Sequence, residues 1–242
     1  MYIGLAISLY KNCCCHGSGS EAPPGGSGTI IFDGETQYVV AQNSEVVNWL
    51  PGTGAFTIEW FMKKGAGGSS FPRVFSLGYD TTATIGCSIE GTTCYIWPYG
   101  GGLSGAMPAG YNNGTSWAHI AISRSGTTTK LFIDGVLKST VTGDTRNMVD
   151  SRNPGADLYM GVDDPSKDFP NWWSGGFTNF RWNNSALYTG SSLTVPTSPL
   201  TADSNTKLLL LGGSTANPVD DATGTNTLVN NGATWSADSP FT

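Results

Sequence analysis

One loop of the sequence has the residue types that could bind calcium, although its spacing does not match an EF-hand. The segment GVDDPSKDFP contains Asp163, Asp164 and Asp168. Calcium takes about six to eight oxygen ligands, and a loop with several carboxylates and free carbonyls can supply them. The same pattern also fits a solvated acidic turn whose aspartates cap backbone amides, and we favour this second interpretation. Calcium therefore stays open at this loop, and no other cofactor is predicted.

Aromatic residues in polar, glycine-rich segments are candidates for glycan binding. Aromatic faces stack on sugar rings, while Asn and Asp side chains hydrogen-bond to sugar hydroxyls. Trp172 and Trp173 stand in such a segment, NWWSGG, and we expect at least one of them to be exposed. The alternative is that most of these rings belong to the core or to an interface. The further candidates are Trp97, Tyr99, Trp182 and Tyr188.

Two groups of cysteines could be structural. If Glu90-Gly91 is a two-residue hairpin loop, Cys87 faces Cys94 on the neighbouring strand. A disulfide and a pair of small buried thiols both remain open there, and we slightly favour the thiols. The adjacent residues in the run CCCH, from position 13 to 16, point in different directions and cannot easily surround one zinc ion. The role of Cys13, Cys14 and Cys15 stays open.

The spacing of apolar residues predicts strands throughout the chain. In FTIEWFMKK every second residue from Phe56 to Met62 is apolar, which is the period of a half-buried strand. The segment SWAHIAISRSGTTTKLFIDGVLKSTV predicts three consecutive antiparallel strands. No segment has a helical period, and 33 glycines with only 12% charged residues disfavour helices. We therefore predict an all-β protein, a two-sheet antiparallel sandwich.

The N-terminal region has a different pattern from the rest. Ile3, Leu5, Ile7 and Leu9 occupy alternate positions, so residues 1–12 predict a β-arm with one apolar face. A lone strand must pair with something, and we expect this arm to dock on a sheet edge of another subunit. Residues 13–28 are rich in Gly, Ser and Pro and predict a flexible tether. The sandwich domain then occupies residues 29–242.

Charge and hydropathy limit the classes of partner. The net charge is −6 and no basic stripe occurs, so nucleic acid is not an expected partner. No run of about 18 apolar residues is present, so we expect no membrane-spanning helix. The start, MYIGLAISLYKN, lacks both a preceding basic residue and a small-residue cleavage site, so no secretory signal is recognised.

Three stretches in order resemble a known family. FTIEWFMK, WAHIAISRSGTTTKLFIDGVL and GGFTNFRW follow the order found in laminin-G-like, concanavalin-A-like jelly-roll domains. The longer segment FTNFRWNNSALYTGSSLTVPTSPLTADSNTKLLLL resembles such domains of tailed phages, especially those of marine cyanobacteria, in virion, fibre and adhesin-like proteins. The resemblance covers residues 29–242. It implies a jelly-roll sandwich that carries the extended arm outside it.

The resemblance adds a second metal candidate and removes a catalytic one. If the last strand closes beside the first, Asp220 and Asp221 come near Asp33, which implies another place for calcium. Related sandwich glycosidases carry two Glu flanking an Asp on one strand, and no such triplet occurs here. Glu59 stands alone on its strand, and His119 fits a packed, hydrogen-bonded residue better than a base. We therefore expect a protein that is not an enzyme.

The expected function combines these features. The resemblance implies a virion structural, decoration or fibre-associated protein that displays a lectin-like domain for adhesion to host-surface glycans. Its expected partners are other virion proteins, bound through the arm in an oligomer or larger assembly, and host glycans. Its expected location is the virion, which is extracellular after release. The alternatives are a free or cell-surface lectin and, less favoured, a glycoside hydrolase; the host and the glycan are not identified.

Overall fold

The computed structural model describes residues 28–79, 84–148 and 156–241, which form two antiparallel β-sheets packed face to face. The elements in chain order are β1 (Thr29–Asp33), β2 (Tyr38–Ala41), α1 (Asn43–Val46), β3 (Phe56–Lys64), β4 (Arg73–Leu77), β5 (Ile85–Glu90), β6 (Thr93–Trp97), β7 (Gly100–Ala106), β8 (Ala118–Ser125), β9 (Thr128–Ile133), β10 (Val136–Val141), β11 (Leu158–Met160), β12 (Ser174–Asn183), β13 (Thr206–Leu210), β14 (Leu228–Asn231) and β15 (Thr234–Ser236). The predicted all-β, concanavalin-A-like sandwich is confirmed. Within the described residues, no helix has the length and apolarity of a membrane span.

The two sheets have different strand orders. The first runs β10-β9-β8-β3-β12-β1-β15, and the second runs β14-β2-β11-β4-β5-β6-β7. Strand β12 organises the first sheet, because β3 pairs along one of its edges while β1 and β13 share the other edge end to end. β15 lies beside β1, with Thr29 opposite Ser236, so the expected closure of the last strand beside the first is confirmed.

The core lies between the sheets, where the period-two pattern places it. Along β3, Phe56, Ile58, Trp60 and Met62 are all fully buried. The Trp60 ring meets the edge of Phe75 in the other sheet, with 5.1 Å between ring centroids. The intervening residues of β3 are also buried, because residues 184–200 and the C-terminal segment cover the outer face of this sheet.

The β5–β6 hairpin differs from its predicted register. Glu90 pairs with Thr93, so the turn is formed by Gly91 and Thr92, one residue later than expected. Gly91 has φ of +60°, which favours glycine at this position. Cys87 therefore faces Ile96, and Cys94 is its diagonal neighbour on the same face of the sheet. The two Sγ atoms are 3.6 Å apart, and both residues are buried, free thiols in the structure.

Several predictions fall on other parts of the chain. The arm of residues 1–12, with Ile3, Leu5, Ile7 and Leu9, lies outside the described residues. So do residues 13–27 of the predicted tether, with its three adjacent cysteines. The arm, the tether and the resulting division into domains therefore remain predictions.

Candidate functional site

A cleft of about 90 Å³ opens at one end of the sandwich, where β3 ends and β12 begins. Its walls come from the β3–β4 loop, the β5–β6 turn, the segment between β7 and β8, and the start of β12. The residues that line it are Lys64, Gly67, Ser69, Ser70, Pro72, Ile89, Gly91, Tyr111, Trp173 and Ser174. It lies next to the NWW segment, which the sequence singled out for glycan binding.

Backbone hydrogen bonds hold the β3–β4 loop against the segment before β12. The Ser69 amide donates to the Trp172 carbonyl at 2.8 Å, and the Trp172 amide donates to the Ser69 hydroxyl at 2.8 Å. Gly68 has φ of +90°, and a Cβ there would lie 3.1 Å from the Trp172 carbonyl oxygen. The glycines of GAGGSS thus let the loop lie flat against its neighbour.

Two residues that line the cleft each carry a buried polar group that lacks a well-formed hydrogen bond to another described residue. The Tyr111 side chain is fully buried and Trp173 is 2% exposed. Among the described residues, neither the Tyr111 hydroxyl nor the Trp173 indole N–H has a hydrogen-bond partner of good geometry, although the two groups lie close to each other. Burial raises the pKa of Tyr111, and the adjacent Trp173 offsets only part of this rise. A ligand oxygen or an ordered water in the cleft would satisfy both groups.

Exposed aromatic rings stand beside the same cleft. Phe71 is 56% exposed and lies between the lining residues Ser70 and Pro72. Phe169 is 82% exposed and precedes Pro170, whose carbonyl accepts a hydrogen bond from Ser69. Exposed apolar side chains that flank a cleft mark a contact surface. Phe71 is therefore an exposed ring whose two chain neighbours line the cleft.

The structure separates the aromatic residues predicted to bind sugars. Trp182 is fully buried against Trp49, with 6.2 Å between the rings, so its face is unavailable to a ligand. Trp173 likewise packs in the core against Phe32 and reaches the cleft only through its lining. Trp172 is half-buried against Tyr38, so neither member of the pair is exposed, whereas the sequence led us to expect at least one exposed ring.

The remaining three aromatic candidates lie away from the cleft. The buried Tyr99 hydroxyl donates to Asp144 at 2.7 Å, so this ring has a structural role. Trp97 is half-buried under the Arg73 guanidinium, 5.0 Å from its ring centroid. Tyr188 donates to the Glu59 carboxylate at 2.8 Å. None of the three is a lining residue of the cleft.

The acidic loop uses its aspartates to stabilise its own backbone. Asp163 is fully buried and accepts hydrogen bonds from the amides of Asp164 and Asn171, both at 2.9 Å. Asp164 accepts from the Ser166 amide and contacts the Lys167 ammonium group. Asp168 is exposed. This is the capping turn that we favoured over a calcium loop.

The structure does not bring Asp33 together with Asp220 and Asp221, the second predicted calcium site. Asp33 accepts hydrogen bonds from the amides of Glu35, Thr36 and Gln37. Burial alone would raise the pKa of Asp33, but these bonds together lower it to about 2. The closure of β15 beside β1 nevertheless leaves Asp221 beside Leu209 of β13, which pairs with one end of β12, whereas Asp33 pairs with Ser174 at the other end.

The Asp221 carboxylate is used by hydrogen bonds to the surrounding backbone. Its carboxylate accepts hydrogen bonds from the amides of Leu209 and Thr223 at 3.1 and 3.0 Å. Asp220 is exposed and accepts from the Asn217 side chain. In the three described ranges, no three His, Cys, Asp or Glu side chains come together as a metal site would require.

A buried polar cluster lies on the outer face of the first sheet. Glu59 is fully buried and accepts hydrogen bonds from Arg181 Nε at 2.9 Å and from the Tyr188 hydroxyl. His119 Nε2 lies 3.1 Å from the same carboxylate. Burial alone would raise the pKa of Glu59, but His119 and the Arg181 charge outweigh it and lower that pKa. The cluster fixes the covering segment, and His119 is packed and hydrogen-bonded as expected.

The fold is a two-sheet antiparallel β-sandwich with a cleft between loops at one end. The profile of the laminin G form of the concanavalin A-like lectin/glucanases superfamily matches residues 33–191. The chain belongs to this family, since the match covers more than half of its 242 residues. No curated protein sequence matches the chain.

Solved structures share this fold at low sequence identity. A proposed carbohydrate-binding protein from Bacteroides ovatus is 14% identical with a TM-score of 0.63, and the match covers 91% of this chain. The chain spans only 62% of that protein. A heptameric SAP-like pentraxin from Limulus polyphemus is 13% identical with a TM-score of 0.54, over 87% of this chain and 94% of the pentraxin.

Sequence reasoning found the Trp172-Trp173 segment but missed most of the cleft. Lys64, Ser70 and Phe71 lie in or beside a Gly- and Ser-rich stretch between two predicted strands, and that composition is a detectable signal for a loop. Tyr111 carries no such signal. Its position in the cleft depends on packing against Trp173, which is far away in sequence.

Proposed function

We propose that this chain is a carbohydrate-binding domain without catalytic activity, and that the end cleft holds the sugar. The observation that carries the proposal is a pair of buried polar groups, the Tyr111 hydroxyl and the Trp173 indole N–H, which belong to lining residues of the cleft and have no hydrogen-bond partner among the described residues. Sugar oxygens are suitable partners for both groups. The exposed ring of Phe71 supplies the aromatic face on which a sugar ring stacks.

The composition of the cleft supports binding rather than hydrolysis. Glycoside hydrolysis uses two carboxylates about 5–10 Å apart on either side of the scissile bond. Among the described residues, no Asp or Glu lines the cleft. Glu59, in the buried cluster on the outer face, already has three neighbouring side chains as partners. The hydrolase alternative therefore finds no support at either place.

Our proposal extends to the setting of this domain, which we place on a virion as a decoration or fibre-associated adhesin. Two sequence features support this: the resemblance of residues 177–211 to domains of tailed phages, and the period-two pattern of residues 1–12. The arm would dock on other virion proteins, and the cleft would face host glycans. A free or cell-surface lectin is the alternative. Mass spectrometry of purified particles distinguishes the two, because only a virion protein copurifies with them.

Binding is tested with the full chain on a broad glycan array, followed by calorimetry with the best ligand. We expect Phe71→Ala to weaken binding about tenfold, because it removes the exposed stacking face beside the cleft. Val229→Ala removes an exposed apolar side chain from β14 and serves as the matched control. If no glycan or host cell binds, with or without calcium, the domain has a structural role only.

A further inference from the structure

The cleft offers mainly hydrogen-bond donors. The Lys64 ammonium group and the Trp173 indole N–H can only donate, whereas the hydroxyls of Ser70 and Tyr111 can donate or accept. The Ser174 hydroxyl is already used, because it donates to the Ala66 carbonyl at 2.7 Å. Among the described residues, no carboxylate or side-chain amide lines the cleft to act as an acceptor.

Lys64 brings a positive charge that its surroundings do not neutralise. Within the described ranges its ammonium group has no ion pair, whereas the preceding Lys63 pairs with Asp238 at 2.8 Å. Adjacent residues of a strand point to opposite faces, so the two lysines occupy different surfaces. Lys64 is therefore a lining residue of the cleft whose charge has no counter-ion in the part of the chain that the structure describes.

Two carboxylates belong to residues that adjoin lining residues of the cleft, and both are directed elsewhere. Asp33 pairs with Ser174 in the β1–β12 ladder, but its carboxylate is held by three backbone amides of its own turn. Glu90 precedes the lining residue Gly91, but its carboxylate accepts from the Ser88 hydroxyl at 3.2 Å. Ser88 and Glu90 share the face of β5 opposite to Ile89, which lines the cleft. Neither acid occupies the position of a counter-ion for Lys64.

We propose that the cleft receives the acidic group of an anionic sugar, the carboxylate of a uronic acid or a sulfate ester. This inference rests on the proposed function, since it names the class of sugar that the same cleft binds. Either group accepts several hydrogen bonds and carries a negative charge that can pair with the Lys64 ammonium group. A volume of about 90 Å³ holds such a group with the adjoining ring atoms, and the exposed Phe71, between the lining residues Ser70 and Pro72, offers a contact for the rest of the sugar.

The test measures binding of three hexasaccharides to the full chain by calorimetry: oligogalacturonate, sulfated oligogalactose and neutral oligogalactose. We expect one or both acidic probes to bind at least tenfold more tightly than the neutral probe. The arm that binds identifies the acid as a carboxylate or as a sulfate. Raising the salt concentration should weaken binding of the acidic probes only.

Variants locate the effect. Lys64→Gln should weaken binding of the acidic probe about tenfold and leave thermal unfolding unchanged, and Lys64→Arg should restore binding. Lys138→Gln makes the same charge change at an exposed position of β10 and should have no effect. Equal losses in the Lys64 and Lys138 variants would overturn the inference, because the attraction would then be non-specific.

The outcomes separate this inference from the proposed function. If the neutral probe binds as tightly as the acidic ones and Phe71→Ala weakens it, the cleft binds sugars but the preference for acids is wrong. If none of the probes and no glycan on the array binds, both proposals fail.

Discussion

At the residue scale, the Tyr111 hydroxyl is expected to favour ligand binding at a cost in stability. A buried hydroxyl without a partner costs about 1–3 kcal/mol. We therefore expect Tyr111→Phe to leave the free energy of unfolding unchanged or to raise it by about 1 kcal/mol, while sugar affinity falls about tenfold. Urea denaturation and calorimetry measure the two effects. Tyr99→Phe is the matched control: it removes a hydroxyl that donates to Asp144, so it should lower stability by about 1–2 kcal/mol and leave binding intact.

The pKa of Glu59 gives a second prediction at this scale. Because that pKa is lowered on folding, the ionised carboxylate stabilises the native state fully above its unfolded value of 4.5. This contribution is lost as the pH falls from 4.5 toward the lower, folded pKa. Glu59→Gln should cost about 3 kcal/mol at pH 7, since it leaves the Arg181 charge without its partner.

Denaturation of the wild type and of Glu59→Gln at a series of pH values checks this. The difference in unfolding free energy should be constant above about pH 5 and should shrink below the unfolded pKa. A difference that persists unchanged at acid pH would show that the carboxylate charge contributes nothing.

The same scale shows what a sequence can reveal about a site. The NWWSGG segment was located by composition, because aromatic residues among glycines are unusual for a core strand. Composition could not decide which of Trp172 and Trp173 is accessible, since that depends on the pairing of this segment with the β3–β4 loop. The acidic residues were metal candidates by type alone, and the structure shows that Asp163 and Asp221 accept hydrogen bonds from backbone amides near them.

At the element scale, we expect the covering segment to depend on Thr57 in β3. The Thr57 hydroxyl donates to the Ser185 carbonyl at 2.8 Å and accepts from the Leu187 amide at 2.9 Å. Thr57→Val keeps the shape of the side chain and removes these bonds, which should weaken local docking by about 1 kcal/mol, or about fivefold.

Hydrogen exchange measures this local effect. The Leu187 amide should exchange about fivefold faster in the variant, while amides in the centre of β8 stay protected. Thr140→Val, at an exposed position of β10, should change neither. If Leu187 exchanges as in the wild type, the segment is held by its apolar contacts and by the Glu59 cluster alone.

Element prediction worked where the apolar period was regular. β3, β8 and β9 alternate or carry clear Asp-Gly turns, and each was expected. β7, with the sequence GGGLSGA, was not foreseen, because glycine has no side chain from which to judge a period. The β5–β6 turn was misplaced by one residue, since both Glu90-Gly91 and Gly91-Thr92 are acceptable two-residue turns by composition.

At the scale of the whole molecule, the sandwich should not need the predicted arm. Both sheets and a core shared between them form within residues 28–241, and β15 supplies the neighbour of β1. Deleting residues 1–12 should leave the thermal unfolding midpoint and glycan binding unchanged, and particles should no longer incorporate the protein. Leu5→Asp should act like the deletion, since it places a charge on the apolar face of the arm.

Circular dichroism during heating and particle sedimentation measure these two properties. A truncated chain that unfolds would mean that the arm belongs to the sandwich. Full incorporation of the truncated chain into particles would mean that another surface docks.

The pairing of β1 with β15 has a consequence for engineering. Thr29 lies opposite Ser236, so the first and last strands are neighbours about 5 Å apart, and the C-terminal residues then continue along the same sheet to Phe241, which packs on Phe61. A short peptide could therefore link the two ends, and new termini could be opened at the exposed Ser125-Gly126 turn to give a circular permutant. For the same reason the whole domain could be inserted into a surface loop of an unrelated host protein without increasing the distance between the two ends of that loop. Because β15 does not line the cleft, the inserted domain should retain the cleft unchanged.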